Sequence, residues 1–286
     1  EVAVLAGELF LDLQASIQMA AVADASADLA EELVSVVQRR VDAGAAAPPE
    51  LTRARTDLAV LQAGADAARG EVEATALSLA SLWASAEVDF VLPDGGVNSL
   101  PVAQPTFEPS SDPHPLVAAA NANVTARSAR IDRERAEAWP DLNVSAGIRR
   151  FEDTGDSAFL AGVSLPLPIF DRNRDATRAA ALRRDGAELN GQAVEARLRA
   201  KQAQLVARTR AARSRLQRLE TEALPLGEEA YSAAVKGYQV GKFGLTATLD
   251  ARRSLIKTRA SVIDARLSLE KETLRLRAVI GAAPFE

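Results

Sequence analysis

From about Glu50 to Leu82, Leu51, Leu58, Ala65, Val72 and Leu79 recur every seventh residue, as do Leu61, Ala68, Thr75 and Leu82. Such spacing specifies long α-helices packed along left-handed seams. It constrains the fold more than any other feature of the chain. Two series offset by three residues predict neighbours on two sides, as in a wall of helices. The same spacing returns in Leu198, Leu205, Ala212 and Leu219, and again in Leu255, Val262, Leu269 and Leu276.

The heptads are part of a larger repeat. Sliding the chain by 197 residues, the separation of Gly44 and Gly241, lays Leu58 on Leu255, Ala65 on Val262, Val72 on Leu269 and Leu79 on Leu276. The turn glycines and the helix ends (79–84 on 276–281) coincide at the same offset without a gap. A period this long exceeds that of solenoid repeats, so the chain reads as a tandem duplication of one large unit. The second copy carries a helix and a β-hairpin ahead of its long helix. The matching segment of the first copy would precede Glu1, which sets the expectation that roughly 100 residues are missing at the N-terminus.

In chain order, residues 1 to about 41 predict one helix of roughly 60 Å. Arg39 and Arg40 lie in its last turn and Gly44 suits a left-handed cap. Pro48 and Pro49 start the next helix. Six prolines from Pro93 to Pro115 mark an irregular linker. A third helix then ends at Trp139-Pro140. Asp171-Arg172-Asn173-Arg174 opens the longest helical pattern, with Pro225 expected as a kink or short break. A last helix runs from about Leu245 to Ile280.

Only Leu142–Arg174 reads as β. Leu142, Val144, Ala146 and Ile148 alternate with polar or small residues, and Phe159, Ala161, Val163, Leu165 and Leu167 do the same. Gly155 is available for a positive φ in the polar turn between them. Each strand is roughly 9–11 residues, enough to cross a bilayer when tilted. By itself the stretch also fits a small accessory hairpin. A lone hairpin is marginal in water, so other strands must complete the sheet.

Composition narrows the function. Aromatics are 4% of the chain against 48% hydrophobic residues, as alanine-rich helices in thin layers would have. A net charge of −5 argues against a nucleic-acid partner. With no cysteine, one histidine and one methionine, soft-metal ligand clusters are absent, and His114, between two prolines, reads as structural. No nucleophile–base pair, P-loop or dinucleotide fingerprint occurs, so neither catalysis nor a cofactor is expected. No continuous apolar run approaches roughly 18 residues, so no transmembrane helix is expected.

The order helix, hairpin, long helix, glycine turn, long helix resembles the outer membrane efflux protein (TolC-like) family. LPLPIFDRNR (165–174) is similar to its strand-to-helix exit, particularly in the heavy-metal-efflux (CzcC-like) branch. HPLVAAA (114–120) with WPDLNVSAGIRR (139–150) is similar to the approach to the hairpin. YQVGKFGLTATLDARRSL (238–255) is similar to the turn at the periplasmic tip. The resemblance implies a mainly α chain of antiparallel coiled-coil helices forming an α-barrel wall, with one β-hairpin contributing to a trimeric transmembrane β-barrel. The expected domains are a first helical hairpin (1–85, tip near 42–49), an equatorial linker (86–113), a helix (114–140), the β-hairpin (141–169) and a second helical hairpin (170–281, tip near 238–246).

The function implied is that of an outer-membrane channel subunit of a tripartite efflux system. Its partners would be two further copies, a periplasmic adaptor, outer-membrane lipid and, indirectly, an inner-membrane pump. The alternative is a soluble coiled-coil scaffold or adaptor-like protein with a docking hairpin. By the same resemblance Tyr238 and Asp250 fall at the tunnel entrance, Phe243 standing where some relatives carry a base and Ala247 where some carry a second acid. Ala43, Gly44, Val240 and Gly241 are the expected adaptor contacts. Leu142, Val144, Ala146, Ile148, Phe159, Ala161, Val163, Leu165 and Leu167 are the expected lipid-facing residues.

Overall fold

The computed structural model describes residues 2–88, 90, 114–153, 155, 157–165 and 172–281. Leu167, the segment 166–171 and most of the proline-rich linker lie outside them. The helices are α1 (Val2–Asp42), α2 (Pro48–Ala80), α3 (Pro115–Ala136), α4 (Arg174–Arg218), α5 (Leu224–Gln239) and α6 (Leu245–Ile280), with strands β1 (Asn143–Arg150) and β2 (Ser157–Ser164) between α3 and α4. Two compact units result: residues 1–110 with 201–286, and residues 111–200.

In the first unit the duplication appears bond by bond. At the α1–α2 turn the amides of Ala43, Gly44, Ala45 and Ala46 donate to the carbonyls of Arg39, Val41, Arg40 and Arg40. At the α5–α6 turn those of Val240, Gly241, Lys242 and Phe243 donate to Lys236, Tyr238, Gly237 and Gly237. Every donor and acceptor in the second set is displaced by 197 from the first. Gly44 (φ +70°) and Gly241 (φ +76°) take the left-handed conformation this turn requires. The helices that follow start at Pro48 and Leu245, again 197 apart. At their far ends Ala84 (φ 58°) stands where the second copy has Gly281 (φ 76°). A left-handed alanine costs roughly 1–2 kcal/mol; the first copy keeps the backbone turn without the residue that makes it easy.

The helices pack along narrow seams. Val72 and Leu79 of one α2 heptad series share a face with Leu82 of the other, against Leu9, Phe10, Leu13 and Ile17 of α1. Thr75 adds a 2.8 Å hydroxyl bond to Ser16. In this half of α2 the two series share one face, as the a and d sites of a heptad do; nearer its start Leu61 lines a groove with Leu249, Arg252 and Ile256 of α6, so α2 has neighbours on two sides. Leu33, Val36 and Val37 of α1 meet Ala54, Tyr238, Leu245 and Leu249 where the two hairpins join. A third cluster packs Leu216 against Ala265 and Leu269. Ion pairs flank the α1–α6 seam, Lys271 with Asp12 and Arg275 with Glu8, both at 2.6 Å. Pro225 does not break its helix. A π-helical turn at Leu219–Ala223, in which the Leu224 amide reaches back to the Leu219 carbonyl, absorbs the missing donor.

One expectation about α1 is amended. It contains an 18-residue window of mean hydropathy 1.3, which by length and composition could cross a membrane. Alanine raises this average without forming a continuous run of large apolar residues.

In the second unit His114 caps α3, its Nδ1 accepting from the Leu116 amide at 3.2 Å. Asn173 (φ 53°) turns the chain into α4, and its Nδ2 donates to the carbonyl and carboxylate of Glu134, at 2.9 and 3.1 Å. Glu134 is buried, and the Asn173 bond first and the nearby Arg130 next hold its carboxyl below the usual range. Between these anchors β1 and β2 pair antiparallel, with Val144 opposite Val163, Ala146 opposite Ala161 and Ile148 opposite Phe159. Gly155 closes the turn at φ +74°. The ladder is eight residues per strand, shorter than expected, with Leu142 and Leu165 just beyond its end.

One of the differences between the paired tips is an exchange of bulk. Gly237 occupies the position of Arg40 in the first copy, and a Cβ there would overlap the Phe243 ring. Gly237→Ala should therefore lower the unfolding free energy by about 1–3 kcal/mol. Phe243→Ala should recover most of that loss in the double variant, as thermal denaturation of all four proteins would show.

Candidate functional site

The α1–α2 and α5–α6 turns lie side by side, bound by two side chains. Arg40, near the end of α1, donates from Nη1 to the carbonyl of Tyr238 and from Nη2 to that of Ala45 at 2.9 Å. Its guanidinium stands 4.4 Å from the centre of the Tyr238 ring. Tyr238, only 1% exposed, donates its hydroxyl to Glu50 Oε2 at 2.8 Å. One aromatic side chain on the second hairpin is thus held by both helices of the first.

Burial, then the Glu50 carboxylate, pushes the Tyr238 hydroxyl up to about 12, against a partial offset from Arg40. Both influences disfavour the phenolate, so the neutral donor is fixed in place.

About two turns further along α2 and α6 a second bridge crosses the same boundary. Arg252, 1% exposed, pairs with Asp57, which Arg253 also approaches at 3.6 Å. Burial first and Arg253 second lower the Arg252 pKa. A buried pair of this kind contributes little net stability, yet removing one partner strands the other charge, at a cost of roughly 3–5 kcal/mol. Arg55, the counterpart of Arg252 at the 197-residue offset, is exposed and donates to Gln38 at 2.9 Å.

Tyr238 and Asp250 are not brought together within this chain. Asp250 is exposed and meets Arg253 at 3.4 Å, one turn along its own helix. Ala43, Gly44, Val240 and Gly241 all lie exposed on the two adjacent turns, Val240 at 69%. The hairpin residues share one face, with Phe159 at 87%, Val144 at 72%, Val163 at 70% and Ile148 at 69% exposure. Sequence reasoning missed Glu50 and Arg40. The repeat itself held the signal, since at the 197-residue offset Glu50 falls on Ala247, where relatives were expected to carry an acid. The acid is supplied by the other copy. Among the described residues no three of His, Asp and Glu gather as a metal site.

The profile of the outer membrane efflux protein family matches residues 112–282. The chain is 31% identical over 254 residues to the cobalt-zinc-cadmium resistance protein CzcC of Cupriavidus metallidurans, covering 88% of this chain and 61% of that protein. It is also 31% identical over 166 residues to the nickel-cobalt-cadmium resistance protein NccC of Alcaligenes xylosoxydans xylosoxydans, covering 57% of this chain and 37% of that one. The chain therefore spans about three-fifths of the CzcC length. In fold it is similar to CusC, with a TM-score of 0.78 at 17% identity over 99% of this chain and 69% of that one. The outer-membrane channel OprN gives 0.74 at 18% identity over 100% and 67%.

The tip network makes an alkaline signature. Because Tyr238 ionises harder in the folded chain, its contribution to stability is complete below the unfolded value near 10 and is lost as pH rises through about 12. A Tyr231→Phe variant leaves Tyr238 as the single tyrosine, and its phenolate absorbance should then appear near pH 12. Ionisation at an ordinary tyrosine value would mean that the Glu50 bond does not hold.

Proposed function

Because the chain belongs to the outer membrane efflux protein family, a family of outer-membrane channels, we propose that it is the channel subunit of a tripartite efflux system. In this reading it is a passive conduit and not an enzyme. The observation that carries it is the hairpin: a two-stranded sheet with open edges and an exposed apolar face, continuous in sequence with helices of up to 45 residues. Open sheet edges are not tolerated in hydrocarbon, and membrane barrels need at least about eight strands. Two strands reach closure only with strands from elsewhere in the protein and from further copies, as a homotrimer provides. Leu142, Val144, Ala146, Ile148, Phe159, Ala161, Val163 and Leu165 then face lipid, with Leu167 continuing the series.

The helical hairpins form the tunnel wall. The Tyr238–Glu50 bond and the Arg252–Asp57 pair hold the two tips together in a closed entrance. Exposed Asp250, repeated by symmetry, places an acidic ring at that entrance, which favours cations. Ala43, Gly44, Val240 and Gly241 present small or apolar surface to the hairpin tips of a periplasmic adaptor, itself attached to an inner-membrane pump. The names of the two resistance proteins favour divalent transition-metal ions as cargo. Selectivity for them would lie in the partners, since soft-metal ligands are scarce along this chain.

The channel reading is tested by extracting the whole protein in detergent. It should size as a trimer and conduct ions in a planar bilayer, whereas a water-soluble monomer with its hairpin intact would sink the proposal. The tip assignment has its own test. Gly241→Trp should leave the trimer intact but abolish cobalt export in a strain lacking its own channel. Gly241→Ala, which carries the same backbone strain without the bulk, should retain most of it. Unimpaired export by the tryptophan variant would remove the tips from adaptor contact.

A further inference from the structure

Where the hairpin leaves its helices, the unit of residues 111–200 concentrates unpartnered positive charge. A shallow groove of about 490 Å³ opens between the end of α3 and the start of α4, lined by Ile131, Ala138, Trp139, Arg172, Arg174 and Arg178 among others. Several other arginines of this unit are engaged locally, Arg130 with Glu134, Arg133 with Glu137, and Arg184 with Asp185 and Glu188; Arg149, Arg150, Arg183 and Arg197 also lack an ion pair among the described residues but do not line the groove. Arg135, also on the groove, pairs with Asp132 at 3.3 Å, both strongly exposed. Arg172, Arg174 and Arg178 are exposed and have no ion pair among the described residues, even with Asp175 on the same turn.

The position of the groove narrows what it can hold. Trp139, 80% exposed, precedes β1 by four residues, and Arg172 follows β2 by eight. Asn143 and Ser164 pair at this end of the ladder, and the apolar face begins one step further with Val144 and Val163. The cations therefore stand at the boundary between the apolar face and the helices. At such a boundary tryptophan seats its amphipathic ring, and arginines engage phosphate through their planar fork of donors. Ile131, Ala138 and Trp139 add an apolar floor, for which a free inorganic anion has no use. Acyl-chain carbons do.

We propose that this groove binds the headgroup of an anionic phospholipid in the leaflet facing the helices. Arg172, Arg174 and Arg178 take the phosphodiester, and Trp139 lies against the glycerol and upper acyl carbons. The assignment rests on the reading of β1–β2 as membrane-spanning.

The test uses the whole protein in mixed micelles of detergent and phosphatidylcholine, titrated with phosphatidylglycerol. Wild-type protein should prefer phosphatidylglycerol, and the preference should weaken with added salt. Each arginine near a membrane surface contributes about a fivefold factor, so Arg172→Gln, Arg174→Gln and Arg178→Gln together should cost on the order of 100-fold in apparent affinity. Trp139→Ala should lower retention of either lipid. The three arginines are exposed, so the helical circular dichroism should not change; if the triple variant loses helix, Arg178→Gln alone should still show about the fivefold loss. Undiminished preference in a folded variant overturns the proposal. So does displacement of phosphatidylglycerol by an equal concentration of inorganic phosphate, which would mark a soluble-anion site. Insertion into phosphatidylcholine vesicles with no preference for phosphatidylglycerol refutes the lipid site alone. Failure to enter vesicles of either composition refutes the channel reading and this inference with it.

Discussion

Long helices can lie side by side here only because the residues along their seams are small or carry a charge that a neighbour matches. Ala30, Ala54, Ala65, Ala80 and Ala265 are almost completely buried, so the backbones come close without large side chains between them. Leucines such as Leu13, Leu205, Leu269 and Leu276 fill what remains. Where the seam reaches solvent, pairs such as Lys271–Asp12, Arg275–Glu8 and Arg69–Asp24 border it. A thin layer packed this way buries narrow stripes and leaves other faces open. That explains the scarcity of aromatics.

Duplication supplies two tips with one backbone, and the function proposed depends on where their side chains diverge. Arg40 corresponds to Gly237, Val41 to Tyr238, Ala46 to Phe243 and Glu50 to Ala247. In each case one copy carries a large or charged group and the other a small or apolar one. The differences are complementary: Arg40 and Glu50 of the first tip converge on Tyr238 of the second, and Gly237 leaves room for Phe243. Two identical hairpins would offer like against like. Asymmetry lets the pair interlock through a few bonds.

The hairpin follows a different rule. Its cross-strand pairs put Val144, Val163, Ile148 and Phe159 on one exposed face, an arrangement that water would not favour. On the other face Asn143, Ser145, Gly147 and Ser164 are polar or small, with Leu160 as the exception. Asn173 and Glu134 tie the exits of the two strands to each other, so the ribbon leaves the helices from a fixed base. Arg172, Arg174 and Arg178, without ion pairs among the described residues, and Trp139 gather at that base.

Periodicity alone determined the long helices, the two glycine turns, the alternating strands and the duplication, because each depends on local spacing that any copy of the sequence carries. The left-handed Gly44, Gly155 and Gly241 were legible for the same reason, glycine being the residue that adopts that conformation without strain. Pro225 was legible only in part: a breaker was evident, but whether it kinks a helix or is absorbed by a π-turn depends on the helices packed around it. Tertiary structure decided that α2 meets α1 through Val72, Leu79 and Leu82 and α6 around Asp57. It also decided that Tyr238 bonds Glu50 while Asp250 turns to Arg253, and that Arg252 is buried where its repeat partner Arg55 is not. Tyr238 with Glu50 and Arg252 with Asp57 are joined across nearly two hundred positions. The sequence names both ends of such a contact, and only the folded chain sets the distance between them.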